Sequence, residues 1–551
     1  MPPGLLTTVY EERAMIRRLL HFYPNFPALM VVAVAVALPG FGQSTGTLRN
    51  PIVIHEVRHA EIPPLSAAKT PPSNLNNGSP DVLRGNSGGS SQAPQGSGQP
   101  DVYVQNFQGA SPPVTVKLNF EGINSVGPGE PYPAPDPNGA VGATQYVEWV
   151  NARFAVYNKQ NGKMVYGPAS GVSLFNVFAG PCATQNSGDG IVQYDKAAGR
   201  WIITHRVGAT NTGPYFQCIA VSKTSDATQG WYLYSFQISS AEFPDYPKLG
   251  VWPDAYYETA NLLSPTNGNV FLGSLVCAFD RNAMLTGQAA TAQCFQTSTQ
   301  YESLLPADVD GNTPPPTGSP NYLLNLDTNS LDLWEFHVDF QNPSNSTLTG
   351  PTNIPVAAFT GACKFRNYVC IPQAGTTQVL DSSGDRLMYR LAYRNFGDYE
   401  SLVVTHSVNP PTQAVAGIRW YEIRSPGSNP MVYQQGTYSP DANSRWLGSA
   451  AMDSAGDMAV GYSFSGIYAY PGMRFTGRLV TDPLGTLESD IGVVKGSGVE
   501  VSPDFRWGDY SSMAIDPSDD CTFWFTSEFL NSTGTNNWNT RVVSFKFNSC
   551  P

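Results

Sequence analysis

From Val114 onward the chain is written in short runs in which apolar and polar residues alternate, among them VTVKLNF, QYVEWV, IVQYD, WIITHRV, MAVGYSF and TFWFTS. A period of two puts successive side chains on opposite faces of a strand, and the Gly, Pro, Asn and Asp between the runs predict tight turns. No stretch of useful length carries a helical repeat. Residues 43–111 read differently. Segments such as RGNSGGSSQAPQGSGQP hold few large apolar side chains, which predicts a disordered arm. Ahead of it, Arg13, Arg17 and Arg18 precede the apolar run FPALMVVAVAVALPG and the small residues Gly40 and Gly42. That order predicts a secretory signal, because the apolar run falls short of the about 20 residues that a membrane span needs. The expected organisation is a signal at 1–42, an arm at 43–111 and one folded domain at 112–551.

The strand pattern also repeats on a larger scale. RWLGSAAMD at 445–453 is echoed by RWGDYSSMAID at 506–516. Related units are DPNGAVGATQYVEWV, GDGIVQYDKAAGRWIIT, DYPKLGVWPDAYYETA, QAGTTQVLDSSGDRLMYR and, with an enlarged turn, SLLPADVDGNTPPP. With Asp195, Asp254, Asp310, Asp381, Asp453 and Asp516 as turn markers, the intervals run from 56 to 72 residues. Self-similarity at this period predicts an all-β fold, a β-propeller of seven four-stranded blades, rather than a pair of sandwiches. VTVKLNF is expected to close the ring by pairing with the final hairpin between Cys521 and Cys550.

Composition changes the picture in two ways. The formal charge of −12, with no cluster of Lys or Arg, speaks against a nucleic-acid partner. The eight cysteines, an even number in a chain expected to be exported, predict disulfides. Eight allow 105 connectivities. Neighbours that would face each other across hairpins favour Cys277 with Cys294, Cys363 with Cys370 and Cys521 with Cys550, leaving Cys182 with Cys218. The expected product is extracytoplasmic and not inserted in a membrane once the signal is removed.

In a propeller the residues just before each innermost strand meet at one rim of the central channel. By the repeat register this rim collects Asp136, Asp189, Asp245 and Asp509 as candidate catalytic carboxylates. Tyr246, Arg445, Trp446, Arg506, Trp507 and Tyr510 are the candidate substrate-binding residues. Several carboxylates in a partly desolvated funnel push at least one pKa up. Paired carboxyls, aromatic faces and arginines are also the ingredients of a carbohydrate-active site. The turn aspartates at 195, 254, 381, 453 and 516 are expected at the other end of the inner strands, as turn acceptors. Asp308, Asp310 and Asn312 in DVDGN alternate oxygens as a calcium loop does, although Ser319 stands at the twelfth position and prolines 314–316 intrude, so a polar turn is the reading there, with a looser structural Ca²⁺ site as the alternative. No other cofactor is called for. His406 with Arg394 forms a reserve pair for lyase chemistry. No GxSxG, HExxH, P-loop or dinucleotide fingerprint is present.

The run RLAYRNFGDYESLVVTHSV, GIRWYEIR, YQQGTYSPDANSRWLGSAAMD, TGRLVTDPLGT and RWGDYSSMAIDPSDDCTFWFTSEF resembles a family of large secreted bacterial proteins of propeller type, as do PDPNGAVGATQYVEWVN and DYPKLGVWPDAYY. The resemblance spans about 114–550 and implies fold and export, with no activity to carry over. The architecture is similar in kind to sialidase-like propellers, but their repeated Ser-x-Asp-x-Gly-x-x-Trp box is absent. Three functions remain open: a secreted propeller that binds, or binds and cleaves, a glycan at the acidic rim, a non-catalytic adhesion or display protein, and a polysaccharide lyase.

Overall fold

In the computed structural model, which describes residues 46–67, 101–125, 133–208, 213–411 and 415–551, the alternating runs are strands. The expected signal at 1–42 lies outside these residues. Among the described residues 28 of the 33 strands fall into seven antiparallel groups of four, in chain order except that an early strand completes the last group. Their first strands are Asn138–Val141, Ile191–Asp195, Phe243–Val251, Leu305–Asp310, Met388–Asn395, Ser444–Met452 and Ser512–Ile515. Each first strand packs against the next, and the last packs against the first, so the seven form a closed ring. This is the propeller that the repeat predicts.

Ring closure follows the expected route. Val114–Asn124 pairs antiparallel with Trp538–Phe547 and supplies the fourth strand of the last group. Between groups, large apolar faces meet. Trp149, Phe154, Phe175 and Trp201 fill the seam of the first two groups, and Phe475 stacks on Phe545 at 3.7 Å between the last two. All four disulfides have the expected partners: Cys182–Cys218, Cys277–Cys294, Cys363–Cys370 and Cys521–Cys550.

Two expectations need correction. The first is the disordered arm. Gly46–Arg49 pairs with the outer strand Thr347–Pro355, and Val104–Gln105 runs parallel to Met431–Tyr438. Ile52–Ile62 lies between Trp231–Ser239 and Thr291–Gln296 and pairs with both. Most of its side chains stay exposed, Val57 among them at 61 %. What holds it is backbone pairing to two open strand edges, which a composition argument about apolar burial does not register. Residues 68–100 of that arm lie outside the described set.

The second concerns Asp381. It ends the short strand Val379–Asp381 in an excursion ahead of Met388–Asn395, rather than closing an inner strand. The fifth group's inner strand begins only at Met388, seven residues after Asp381, and the inserted chain carries the Cys363–Cys370 disulfide. Among the described residues no helix is long and apolar enough to cross a membrane.

Candidate functional site

The inner strands begin at one end of the channel, here called the mouth. The chain enters it through a repeated kink. Asp136, Asp189, Tyr246 and Leu447, all near the start of an inner strand, have φ of 46°, 53°, 55° and 52°. Non-glycine residues pay for the left-handed region, so four of them at matching places mark a backbone turned over the mouth on purpose of the fold rather than by accident of one loop.

The kinks bring the four predicted carboxylates into one electrostatic cluster. Arg206, from the end of Arg200–Val207, bonds Asp189 at 2.5 and 3.2 Å and reaches Asp245 at 3.4 Å. Arg506 bonds Asp509 at 2.7 Å and lies 3.6 Å from Asp381. Asp136 accepts the backbone N–H of Asp509 at 2.7 Å. Burial, then the carboxylates of Asp509 and Asp189, push Asp136 well above the usual carboxylate range. Burial also raises Asp245 to about 6, although the Arg206 cation pulls the other way. The side chains of Asp189, Asp245 and Asp509 remain 18, 31 and 24 % exposed, so solvent reaches them.

The motif RWGDY acquires a local reason here. Gly508 donates its N–H to Glu528 Oε1 at 3.0 Å, and a Cβ at this position would stand 2.7 Å from that oxygen. Only glycine lets the strand come that close to the buried carboxyl.

Beneath the carboxylates lies a residue that the sequence reading missed. Lys248 is fully buried, its ammonium 3.3 Å from the centre of the Tyr246 ring and 4.1 Å from that of Tyr510. Its one hydrogen bond goes to the carbonyl of Pro247 at 2.9 Å. Burial lowers its pKa to about 7, against the pull of Asp189, Asp509 and Asp136. Arg386, paired with Asp385 at 2.8 Å, covers the Tyr246 ring at 4.8 Å. A lone lysine inside the apolar run DYPKLGV, and an arginine closing WIITHRV at mouth height, were the available signals for Lys248 and Arg206.

The aromatic and reserve residues fall elsewhere. Tyr246 and Tyr510 are buried and form the floor of the site rather than a sugar platform. Trp446 and Trp507 are buried against each other, ring centres 5.8 Å apart, with the Trp507 indole N–H on Ser463 Oγ. Arg445 points away from the mouth and is fully buried between Asp441 and Asp490. Exposed aromatics at the mouth end come from loops instead. Phe365, 88 % exposed, is in the excursion that carries Asp381, and Tyr468, 91 % exposed, is on the hairpin after Met458–Gly466.

Arg394 and His406 do not meet. They sit five residues apart in register along one hairpin, a separation of about 17 Å at strand rise. Arg394 bonds Asp520 at 2.8 and 3.0 Å, while His406 is buried against Phe359 and 2.9 Å from the Tyr421 hydroxyl, its pKa held well below the usual range by burial and then Arg419. Asp308 and Asp310 occupy an inner strand, not a cation-binding loop, and both carboxylates close on Arg390, at 2.6 Å for Asp308. That guanidinium stands where the calcium reading would put a cation. Among the described residues no group of three or more His, Cys, Asp or Glu side chains is arranged to hold a metal ion.

No known protein family and no curated protein matches the chain. Among solved structures it is similar to a protein of unknown function from Dyadobacter fermentans, at 12 % identity over 65 % of this chain and 94 % of that one, with a TM-score of 0.34. An ulvan lyase described as a new family of polysaccharide lyase gives 11 %, 74 %, 95 % and 0.38 in the same order. Trypanosoma rangeli sialidase gives 10 %, 64 %, 54 % and 0.30. The propeller rests on the strand pairing and not on these likenesses.

Proposed function

We propose that the mouth is a glycan-binding site of an exported protein, with Asp189, Asp245 and Asp509 accepting sugar hydroxyls and Arg206 and Arg506 fixing them in place. The observation that carries the reading is the shared arginine: Arg206 spans Asp189 and Asp245, so two partly exposed carboxylates are held side by side without being used up. Acceptors held in this way suit a ligand rich in paired hydroxyls. The four disulfides fit an oxidising compartment, where such ligands are met. Phe365 and Tyr468 take over the stacking role first assigned to Tyr246, Tyr510, Trp446 and Trp507.

Hydrolysis is the second reading, and the raised pKa of Asp245 favours it. A carboxyl that keeps its proton to about pH 6 beside an arginine-paired carboxylate can protonate a glycosidic oxygen while Asp509 acts as base or nucleophile. A glycan array and polysaccharide-depletion screen of the purified protein, with reducing-end release assayed on every hit, tests both. Binding that Asp245→Asn and Asp509→Asn each weaken about tenfold or more, in variants that remain folded, is the expected result. Release abolished by Asp245→Asn establishes hydrolysis. No binding to any glycan overturns the reading and leaves a display scaffold.

A further inference from the structure

At the far end of the channel, among the turns that follow the inner strands of the second, third and fourth groups, lies a cavity of about 310 Å³. Tyr194, Trp252, Val309, Pro314 and Pro315 give it mostly apolar walls. Lys196 lines it and also lines a water-sized void of about 20 Å³ beside Asp308, Asp310 and Arg390. Lys196 therefore borders both the cavity and that void.

The charges around Lys196 are already matched, with one exception. Asp195 is held by Arg281 at 2.7 and 3.0 Å, Asp308 and Asp310 by Arg390, and Asp520 by Arg394. Among the described residues, no hydrogen bond or ion pair engages the ammonium of Lys196. Beside it Asp310 Oδ2, in a residue 95 % buried by its 5 % exposure, has no partner either. Lys196 is half-buried, and desolvation lowers its pKa to about 8 against the pull of the Asp310 carboxylate.

We propose that this cavity is a second ligand site, separate from the mouth, for a small molecule with a flat apolar ring and a carboxylate. The ring lies against Tyr194, Trp252 and Pro314, and the carboxylate accepts from Lys196 Nζ. A volume near 310 Å³ sits at the lower end of the range for small-molecule pockets, about 300–1,000 Å³. Asp195, Asp308 and Asp520 are each held by an arginine and Asp310 by Arg390 through its Oδ1, so of these neighbours only Asp310 Oδ2 competes with a ligand for the ammonium. A charge-assisted bond to the ligand supplies the acceptor that the protein withholds.

Benzoate is the probe, with benzamide as its neutral counterpart, in calorimetric titrations of the whole protein. Saturable one-to-one binding of benzoate is expected, about tenfold weaker for benzamide and for benzoate on Lys196→Met, and retained in Lys196→Arg. On the unmodified protein, benzoate is also expected to slow acetylation of Lys196, read by mass spectrometry of its peptide, which keeps the test valid if Lys196→Met does not fold. Absence of benzoate binding, equal binding of benzamide, binding unchanged by Lys196→Met, or no protection of Lys196 would each overturn the proposal.

Discussion

At the mouth, Asp189, Asp245 and Asp509 share two arginines and keep 18 to 31 % of their side chains exposed; at the far end, Asp308 and Asp310 close on Arg390 with 5 and 7 % exposed. Both ends use aspartates on or beside inner strands, and both neutralise them with arginine. The difference is where the third side of each carboxylate faces. At the far end it faces protein, so the ion pairs are part of the packing. At the mouth it faces solvent, so the same chemistry is left available to a ligand. Residue type therefore does not separate the two sets of aspartates in this fold, whereas exposure after pairing does.

The comparison breaks most sharply at Arg390. Arg390→Met leaves two buried carboxylates without a cation, and the expected cost is about 3–5 kcal/mol, read from urea unfolding. Arg206→Met at the mouth costs less, because water reaches the carboxylates it leaves behind. If the two variants destabilise equally, the contrast between the ends is wrong.

A second test is pH. Burial raises Asp245 to about 6, Glu528 to about 7 and Glu258 to about 8 in the folded protein. The unfolded chain releases these protons near pH 4–4.5, so across roughly pH 4–8 it binds fewer protons than the folded chain. The stability these three groups contribute is therefore full below that window and falls as pH rises through it, by a few kcal/mol in all, while the buried His205 and His406, held neutral in the folded protein, pull the other way below about pH 6.5. Urea midpoints at pH 6.5 and pH 8 check the sign, and a higher midpoint at pH 8 refutes it.

Asp245→Asn sharpens the contrast from the other side. Removing a carboxyl that is reluctant to ionise stabilises the protein at pH 7 by about 1 kcal/mol, after allowance for its exposure, and the gain vanishes at pH 4. Glycan binding falls in the same variant, so stability and binding move in opposite directions. The smallest effect is expected at Phe365→Ala and Tyr468→Ala. Unfolding shifts by less than about 0.5 kcal/mol while glycan affinity drops several-fold, a split that only a surface contact produces.

Asp136 and Asp189 were legible in the sequence because each stands two residues before its strand, in DPNG and GDGI, where the repeat fixes height along the channel. Height does not fix direction. Arg445 has the right height, but it lies on the opposite face of its strand from the mouth and spends its charge on Asp441 and Asp490. Asp381 failed for a different reason. An insertion before the fifth inner strand moved the true strand start, and the residue read as a far-end turn lies beside Arg506 at the mouth. Lys248 was hidden because a buried lysine within an apolar strand leaves no periodic trace; its partners, Tyr246 and Tyr510, come from different blades. The strand Ile52–Ile62 was missed because two open edges, and not its own composition, hold it in place.

Closure of the ring by Val114–Asn124 against Trp538–Phe547 makes the order of synthesis matter. The first strand of the latch leaves the ribosome long before its mate, and the bond from Thr540 Oγ1 to the Ile123 carbonyl joins residues 417 positions apart. Until the last hairpin arrives, that early strand has no partner and the circle stays open. A chain cut short before residue 538 cannot fasten, however well its first six blades are written, so the ring closes only once residues 538–547 have been made.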